Sequence, residues 1–229
     1  TANNFPRMVF NQYGTIPLMN ELDAYFCLSP SVRQIYRDVG VDDDLLEVVP
    51  NMVDREFSDP DVAPTVADGG GRDETRILYV GRVDAMKSIG NLLDAVAEMT
   101  ADSESFHVDI VGDNILEYGQ SLDGYRADAQ QLGIAGQVTF HGWVDYHDLS
   151  EYYASGDVFV HPAEWPEPFG RTIIEALEHG LPIVSTDVGA PPWVAGSAGI
   201  TYPHDDPYSL ACVLDDLIES DERLDAMAA

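Results

Sequence analysis

Lysine is almost absent from this 229-residue chain: Lys87 is the only one, and 11 basic side chains face 41 acidic ones for a formal charge of −30. So negative a surface excludes nucleic acid as a partner, because phosphate backbones are held by basic faces. Cysteine is scarce as well. Cys27 and Cys212 lie far apart in apolar settings with no CxxC spacing, so two buried thiols in a reducing cytoplasm are expected, with neither a disulfide nor a metal site. The histidines show no HExxH pattern, and no metal is expected. No apolar run approaches the roughly 18 residues of a membrane helix. The start, "TANNFPRMVF", has no long apolar stretch of the kind a signal peptide carries. No GxGxxG follows a strand pattern, which argues against a dinucleotide-dependent oxidoreductase.

What is present is the material of a folded protein. Apolar residues make up 45% of the chain and aromatics 10%, which separates it from acidic tails that cannot build a core. Near-total loss of lysine beside an excess of acids fits a protein working in concentrated salt, where screening confines repulsion to about 3 Å at 1 M. The alternative is an ordinary acidic protein of a low-salt environment.

From residue 76 onward, short runs rich in Val, Ile, Phe and Tyr alternate with stretches of helical period. Strands are predicted over 76–80, 106–111, 137–141, 157–160, 182–186 and 199–202. Ile89, Leu92, Leu93 and Val96 mark the buried face of one intervening helix; Leu210, Val213, Leu214, Leu217 and Ile218 mark another, with Asp206 as its cap and Pro207 at its first position. Strand and helix in repeated alternation predict an α/β fold, a Rossmann-like parallel sheet with helices on both faces. The region 1–57 is read as the remnant of a preceding domain: strand, helix capped by Ser29 and stopped by Gly40, strand. The Pro- and Gly-rich segment 58–75 reads as a linker, and 76–229 as the complete domain. "DDD" at 42–44 reads as a solvated turn.

Ligands of an open parallel sheet bind beyond the carboxyl ends of its strands, where "VGRVDAMKSI" falls. Gly81 permits a close turn, Arg82 leaves the strand, and Lys87 is placed at the start of the next helix, whose N-terminus favours an anion. The pattern predicts a phosphate site, each charge-assisted bond contributing about 1.5–3 kcal/mol. The competing reading is a pair of surface cations that soften local negative charge. A second constellation, "EWPEPFGRTIIEALEHGLPIVST", sets Glu167 in a Pro-rich loop and Glu175 in a helix whose buried face is predicted to be Ile173, Ile174 and Leu177. Arg171, Glu175 and Glu178 are placed together on its polar face, which leaves Glu175 open to being a surface acid paired with Arg171 at i+4.

The Gly81-Arg82-Lys87 spacing, followed some 80 residues later by "EPFG", Glu175 and "GLP", resembles the donor-binding domain of retaining family 4 glycosyltransferases of the GT-B fold. "VVPNMVD", "IVGD", "FHGWV" and "STDVGAPPWVAGSAGITYP" are similar to further segments of that family in the same order, so the resemblance runs from about Asp23 to Ser220. It implies that a nucleotide-sugar donor is bound and its sugar transferred with retention, without metal or other cofactor. It implies that Arg82 and Lys87 hold the diphosphate, that Glu175 holds the ribose, and that Glu167, with Phe169, Gly170, Arg171 and Thr172 around it, holds the transferred sugar. The loop at Gly142 would line the base. Glu167, Arg82 and Lys87 become the expected catalytic residues, the cations stabilising the departing diphosphate.

The chain departs from the family in three places: Ser88 stands where a glycine is usual and could cap the helix, Trp193 replaces an acid, and His161 precedes Pro162 where a Pro-Ser pair is usual. The largest departure is the family's N-terminal domain, expected to be missing except for its last strand, helix and strand. Its acceptor, a lipid-linked or cell-surface glycan among the candidates, would then be met through that missing half or a partner chain, at the inner membrane surface. A non-catalytic nucleotide-sugar-binding module remains the alternative.

Overall fold

The computed structural model describes residues 16–52, 74–114 and 119–228. The extreme N-terminus and nearly all of the predicted linker lie outside them. The chain divides into two compact units, 1–52 and 53–229.

In the first unit, helix α1 (Ile16–Met19) is followed by strand β1 (Tyr25–Cys27), helix α2 (Pro30–Asp38) and strand β2 (Leu46–Val48), and the two strands pair in parallel. Ser29 caps α2 by accepting from the Val32 amide at 3.3 Å, with Pro30 in the first turn where its missing N–H costs nothing. A small core of Cys27, Val41 and Leu46 sits under the helix. Asp43, within the acidic triplet, pairs with Arg33 at 3.0 Å and Arg37 at 3.4 Å.

The second unit is a six-stranded parallel sheet in the order β5-β4-β3-β6-β7-β8. Its strands are β3 (Thr75–Val80), β4 (Phe106–Val111), β5 (Val138–Gly142), β6 (Val158–His161), β7 (Ile183–Thr186) and β8 (Gly199–Tyr202). Each falls within one residue at either end of the run predicted for it. Successive side chains of β3 point to opposite faces, so Ile77 and Tyr79 enter one core and Leu78 and Val80 the other.

On the first face lie α3 (Ile89–Glu98), α4 (Leu122–Leu132) and α8 (Pro207–Ile218), burying Ile89, Leu92, Leu93 and Val96 together with Leu210, Leu214 and Leu217. Asp206 caps α8, accepting from the Ser209 amide at 3.0 Å. On the second face lie α5 (Leu149–Ser155), α6 (Arg171–Glu178) and α7 (Pro191–Ala195), with Tyr153, Ile173 and Ala176 at their core. A last helix, α9 (Asp221–Ala228), follows α8.

Two expectations need correction. Cys27 is buried but Cys212 is exposed, because α8 turns Leu210 and Leu214 inward and so carries residue 212 to the opposite side. Helix α6 buries Ile173, Glu175 and Ala176, leaving Ile174 and Leu177 only half-buried. The inward Glu175 meets a partner that no periodicity reveals, the hydroxyl of Tyr153.

Candidate functional site

The strand order reverses between β3 and β6, the place where an open parallel sheet leaves a crevice between diverging loops. The loop after β3 starts with a close approach. A Cβ on Gly112, after β4, would lie 1.8 Å from the Gly81 carbonyl oxygen, so the two loops touch backbone to backbone. A Cβ on Gly81 would meet the Tyr79 hydroxyl at 2.8 Å; that hydroxyl donates to the Arg82 carbonyl at 2.6 Å and pins the turn from below. Burial holds the Tyr79 phenol protonated far above its usual range, with Asp84 and Glu167 adding to the effect.

Arg82 projects from this turn with its Nη1 3.2 Å from Asp84 Oδ2. Asp84 is itself buried, and its other oxygen accepts from the Met86 amide at 3.0 Å, capping a 3-10 turn over Ala85–Lys87. Lys87 therefore ends a separate turn, whereas the helix proper starts at Ile89. Between them Ser88 adopts a left-handed conformation, φ 53°, and its side chain does not cap α3. A left-handed residue here accounts for the glycine usual at this position. The Ser88 hydroxyl instead accepts from the Glu164 amide at 3.3 Å.

Across the crevice, the loop after β6 is tied down on both sides. Glu164 receives a hydrogen bond from Asn91, and Glu167 forms an ion pair with Lys87. Thr186 donates to the Ala163 carbonyl at 2.7 Å, and the Glu167 carbonyl accepts from the Ala190 amide at 2.9 Å. A Cβ on Gly189 would lie 2.6 Å from the Glu167 nitrogen, so β7's loop also packs backbone against backbone. Gly170, at φ 93°, turns the chain into α6.

The two loops enclose a cavity of about 250 Å³. Of the residues singled out in the sequence, Gly81, Arg82, Lys87, Glu167, Gly170, Arg171 and Thr172 line it; Tyr79 and His161 line it as well, and neither was singled out as a ligand. Arg82 and Gly81 also border a second cavity of about 190 Å³, where Gly112, Asp113, Trp143 and Val144 form the far wall. Gly142 itself does not line this wall; its carbonyl accepts from the Gly112 amide at 2.8 Å, and Trp143 beside it does line the wall.

Phe169 and Glu175 are not among the residues lining the cavity. Phe169 is buried, edge-on to Trp193 at 6.4 Å between ring centroids. Glu175 is 3% exposed, its Oε2 accepting from the Tyr153 hydroxyl at 2.9 Å and its Oε1 3.5 Å from Arg171 Nη2. The pairing with Arg171 at i+4 is present, but the shared polar face is not, since the carboxylate points inward. Burial pushes its pKa up, and the Tyr153 hydrogen bond and the Arg171 charge only partly offset that.

An Arg, a Lys and a helix N-terminus converging at a switch point can hold a multiply charged anion, and Glu167 can accept hydroxyl protons beside it. Similarity to known proteins agrees with this geometry. The family described as "Glycosyl transferases group 1" matches residues 68–229. The lipopolysaccharide core biosynthesis glycosyltransferase LpsE of Rhizobium meliloti is 29% identical over 180 residues, 75% of this chain and 46% of its own length. The D-inositol 3-phosphate glycosyltransferase of Segniliparus rotundus is 30% identical over 192 residues, 82% of this chain and 42% of its own. Among solved structures, Alr3699/HepE of Anabaena in complex with UDP superimposes with a TM-score of 0.81 at 21% identity, covering 100% of this chain and 62% of that one. The chain thus spans less than half the length of these two curated relatives. With the match running through the whole six-stranded unit, the chain belongs to the group 1 glycosyl transferases, and that unit is one Rossmann-like half of their GT-B fold.

Proposed function

We propose that this chain supplies the donor-binding half of a glycosyltransferase that moves a sugar from a nucleoside diphosphate to an acceptor with retention of configuration. The observation that carries the proposal is the single cavity in which the only lysine meets Arg82, the start of α6 and Glu167. In a protein of charge −30, cations have little reason to be half-buried at a sheet's ligand edge unless an anion visits them. Arg82 and Lys87 take the diphosphate, and the charge that develops on it as the sugar leaves is met by groups already in position. Glu167, released from Lys87, receives hydroxyls of the transferred sugar, with Gly170, Arg171 and Thr172 forming the wall beside it. Phe169 supports that wall from behind through Trp193. Glu175, its carboxylate turned inward onto Tyr153 and Arg171, meets the ribose by exchanging those partners for its hydroxyls, and the loop after Gly142 lines the base. Alr3699/HepE has been solved with UDP-glucose, which makes a uridine donor the first to try.

The acceptor side lies elsewhere. Because the solved relative is longer than this chain, a second domain or a partner chain closes the cleft, and the region 1–57 is the tail of that domain, joined through 58–75 to the donor domain over 76–229. The acceptor is a lipid-linked or cell-surface glycan met at the inner membrane face from the cytoplasm; the role in the name of LpsE, lipopolysaccharide core biosynthesis, supports that class. The acid excess is an adaptation to concentrated salt. The partial span also favours a second reading, a module that holds nucleotide sugar without transferring it.

Incubating radiolabelled UDP-glucose and a mixed glycan pool with the chain alone, and with the chain joined to a family N-terminal domain, separates the two. Transfer only by the joined protein supports half an enzyme. Binding without transfer in either form supports the module, and no binding of UDP-glucose, GDP-mannose or ADP-glucose refutes both.

A further inference from the structure

Among the described residues, four buried side-chain atoms have no hydrogen-bond partner, and one of them, Nδ1 of His161, belongs to a residue that lines the cavity. His161 closes β6 after Val158, Phe159 and Val160, all buried and apolar, and is itself 3% exposed. A valine or leucine would fill that position without enclosing an unpaired polar atom, so the imidazole is retained at a cost to the empty protein. A ligand that brings the missing partner removes the cost.

We propose that His161 is a further ligand of the donor: its imidazole completes its hydrogen bonding on the diphosphate oxygens of a bound nucleotide sugar. The proposal rests on the donor-site reading above. The diphosphate is taken as the partner because His161 lines the same cavity as both Arg82 and Lys87, the two cations assigned to it. The ring is neutral at neutral pH. Burial, and then the Lys87 ammonium, hold its pKa at about 4 against the opposing pull of Glu167 and of the residue's own main chain, the one polar contact the ring makes inside its own residue. The other charged or titratable groups facing the cavity are Arg82, Arg171 and Tyr79, the last held protonated by burial.

A diphosphate adds negative charge beside the ring and offsets Lys87, so the bound pKa lies above the free one. Binding then takes up protons, is tightest at low pH, and weakens as pH rises through the bound value. A neutral imidazole still donates one hydrogen bond, so affinity is reduced but not lost above that value.

The test is calorimetric titration of the 229-residue chain in about 1 M KCl with UDP-glucose, GDP-mannose and ADP-glucose, whose phosphates do not titrate between about pH 5 and about pH 8. The expected result is affinity that strengthens toward low pH by up to about tenfold per unit, with heats that depend on the buffer's ionisation enthalpy. His161→Leu should bind about tenfold or more weakly and show no such pH dependence. His161→Asn, which keeps a donor but cannot titrate, should recover most of the affinity with a flat pH profile; if His161→Leu does not fold, this variant alone decides. Unchanged affinity and pH slope in a folded His161→Leu, or an unchanged slope in His161→Asn, while Lys87→Ala loses binding, overturns the role of His161 and leaves the donor site standing. Absence of binding by the wild-type chain, or equal binding by Lys87→Ala, overturns both.

Discussion

Lys87 and Glu167 are 80 residues apart in sequence and form an ion pair at the carboxyl edge of the sheet, their side chains only 14% and 21% exposed. Each neutralises the other, so a diphosphate must compete with Glu167 for the ammonium. The two residues therefore carry opposite expectations. Lys87→Ala should weaken UDP binding about tenfold to a hundredfold, the loss of a charge-assisted bond. Glu167→Gln should tighten UDP binding severalfold by freeing the lysine, while lowering sugar transfer in the complete protein. Calorimetric titration with UDP checks both, and weakening by both variants alike would contradict the competition.

Much of this was legible in the sequence, for physical reasons that differ from element to element. The six strands could be read because a sheet covered on both faces demands continuous apolar runs such as "RILYV", bounded by turn residues. That Arg82 and Lys87 would lie together at the sheet's ligand edge could be read because they fall in the stretch that directly follows the strand "RILYV". Glu175 could not be read as buried, since its partner Tyr153 lies 22 residues away on another helix and leaves no local signal. Ser88 looked like a cap because serine commonly is one; its left-handed backbone depends on how Asp84 closes the preceding turn. Cys212 was misjudged from its apolar neighbours when the phase of Leu210 and Leu214 already placed it outward.

The inward carboxylate of Glu175 has a consequence for stability. Its folded pKa is raised above the ordinary value, so the ionised form costs stability, a cost absent below the unfolded pKa and complete once pH passes the raised folded value. Glu175→Gln keeps an acceptor for Tyr153 and removes the charge. It should melt a few degrees above the wild type at neutral pH, with the difference vanishing near pH 4. Equal melting curves at neutral pH would show that Arg171 already compensates the burial.

Two glycines separate close approach from backbone strain alone. Gly133 ends α4 at φ 79° with nothing within 4 Å of an added Cβ, so Gly133→Ala should cost about 1–2 kcal/mol. Gly112→Ala drives a methyl into the Gly81 carbonyl and should cost at least about 3 kcal/mol. Urea unfolding in high salt measures both, and equal losses would contradict the close contact of the two loops.

Salt should govern folding. At about 0.01 M the screening length grows to about 30 Å, and the excess of acids repels across the whole molecule. Circular dichroism followed during dialysis from about 3 M KCl should show loss of the native spectrum as salt falls. Retention of that spectrum at low salt would remove the case for salt adaptation.

The central claim is that the cavity around Lys87 receives the diphosphate of a sugar donor, and the composition offers a direct probe. Because Lys87 is the sole lysine, an amine-directed reagent can modify only that side chain and the chain's N-terminal amine, which serves as an internal reference. Labelling is followed by mass spectrometry with and without saturating UDP. The account predicts that UDP slows modification of Lys87 by about tenfold or more while leaving the N-terminus unchanged; equal rates at Lys87 in the two conditions would contradict it.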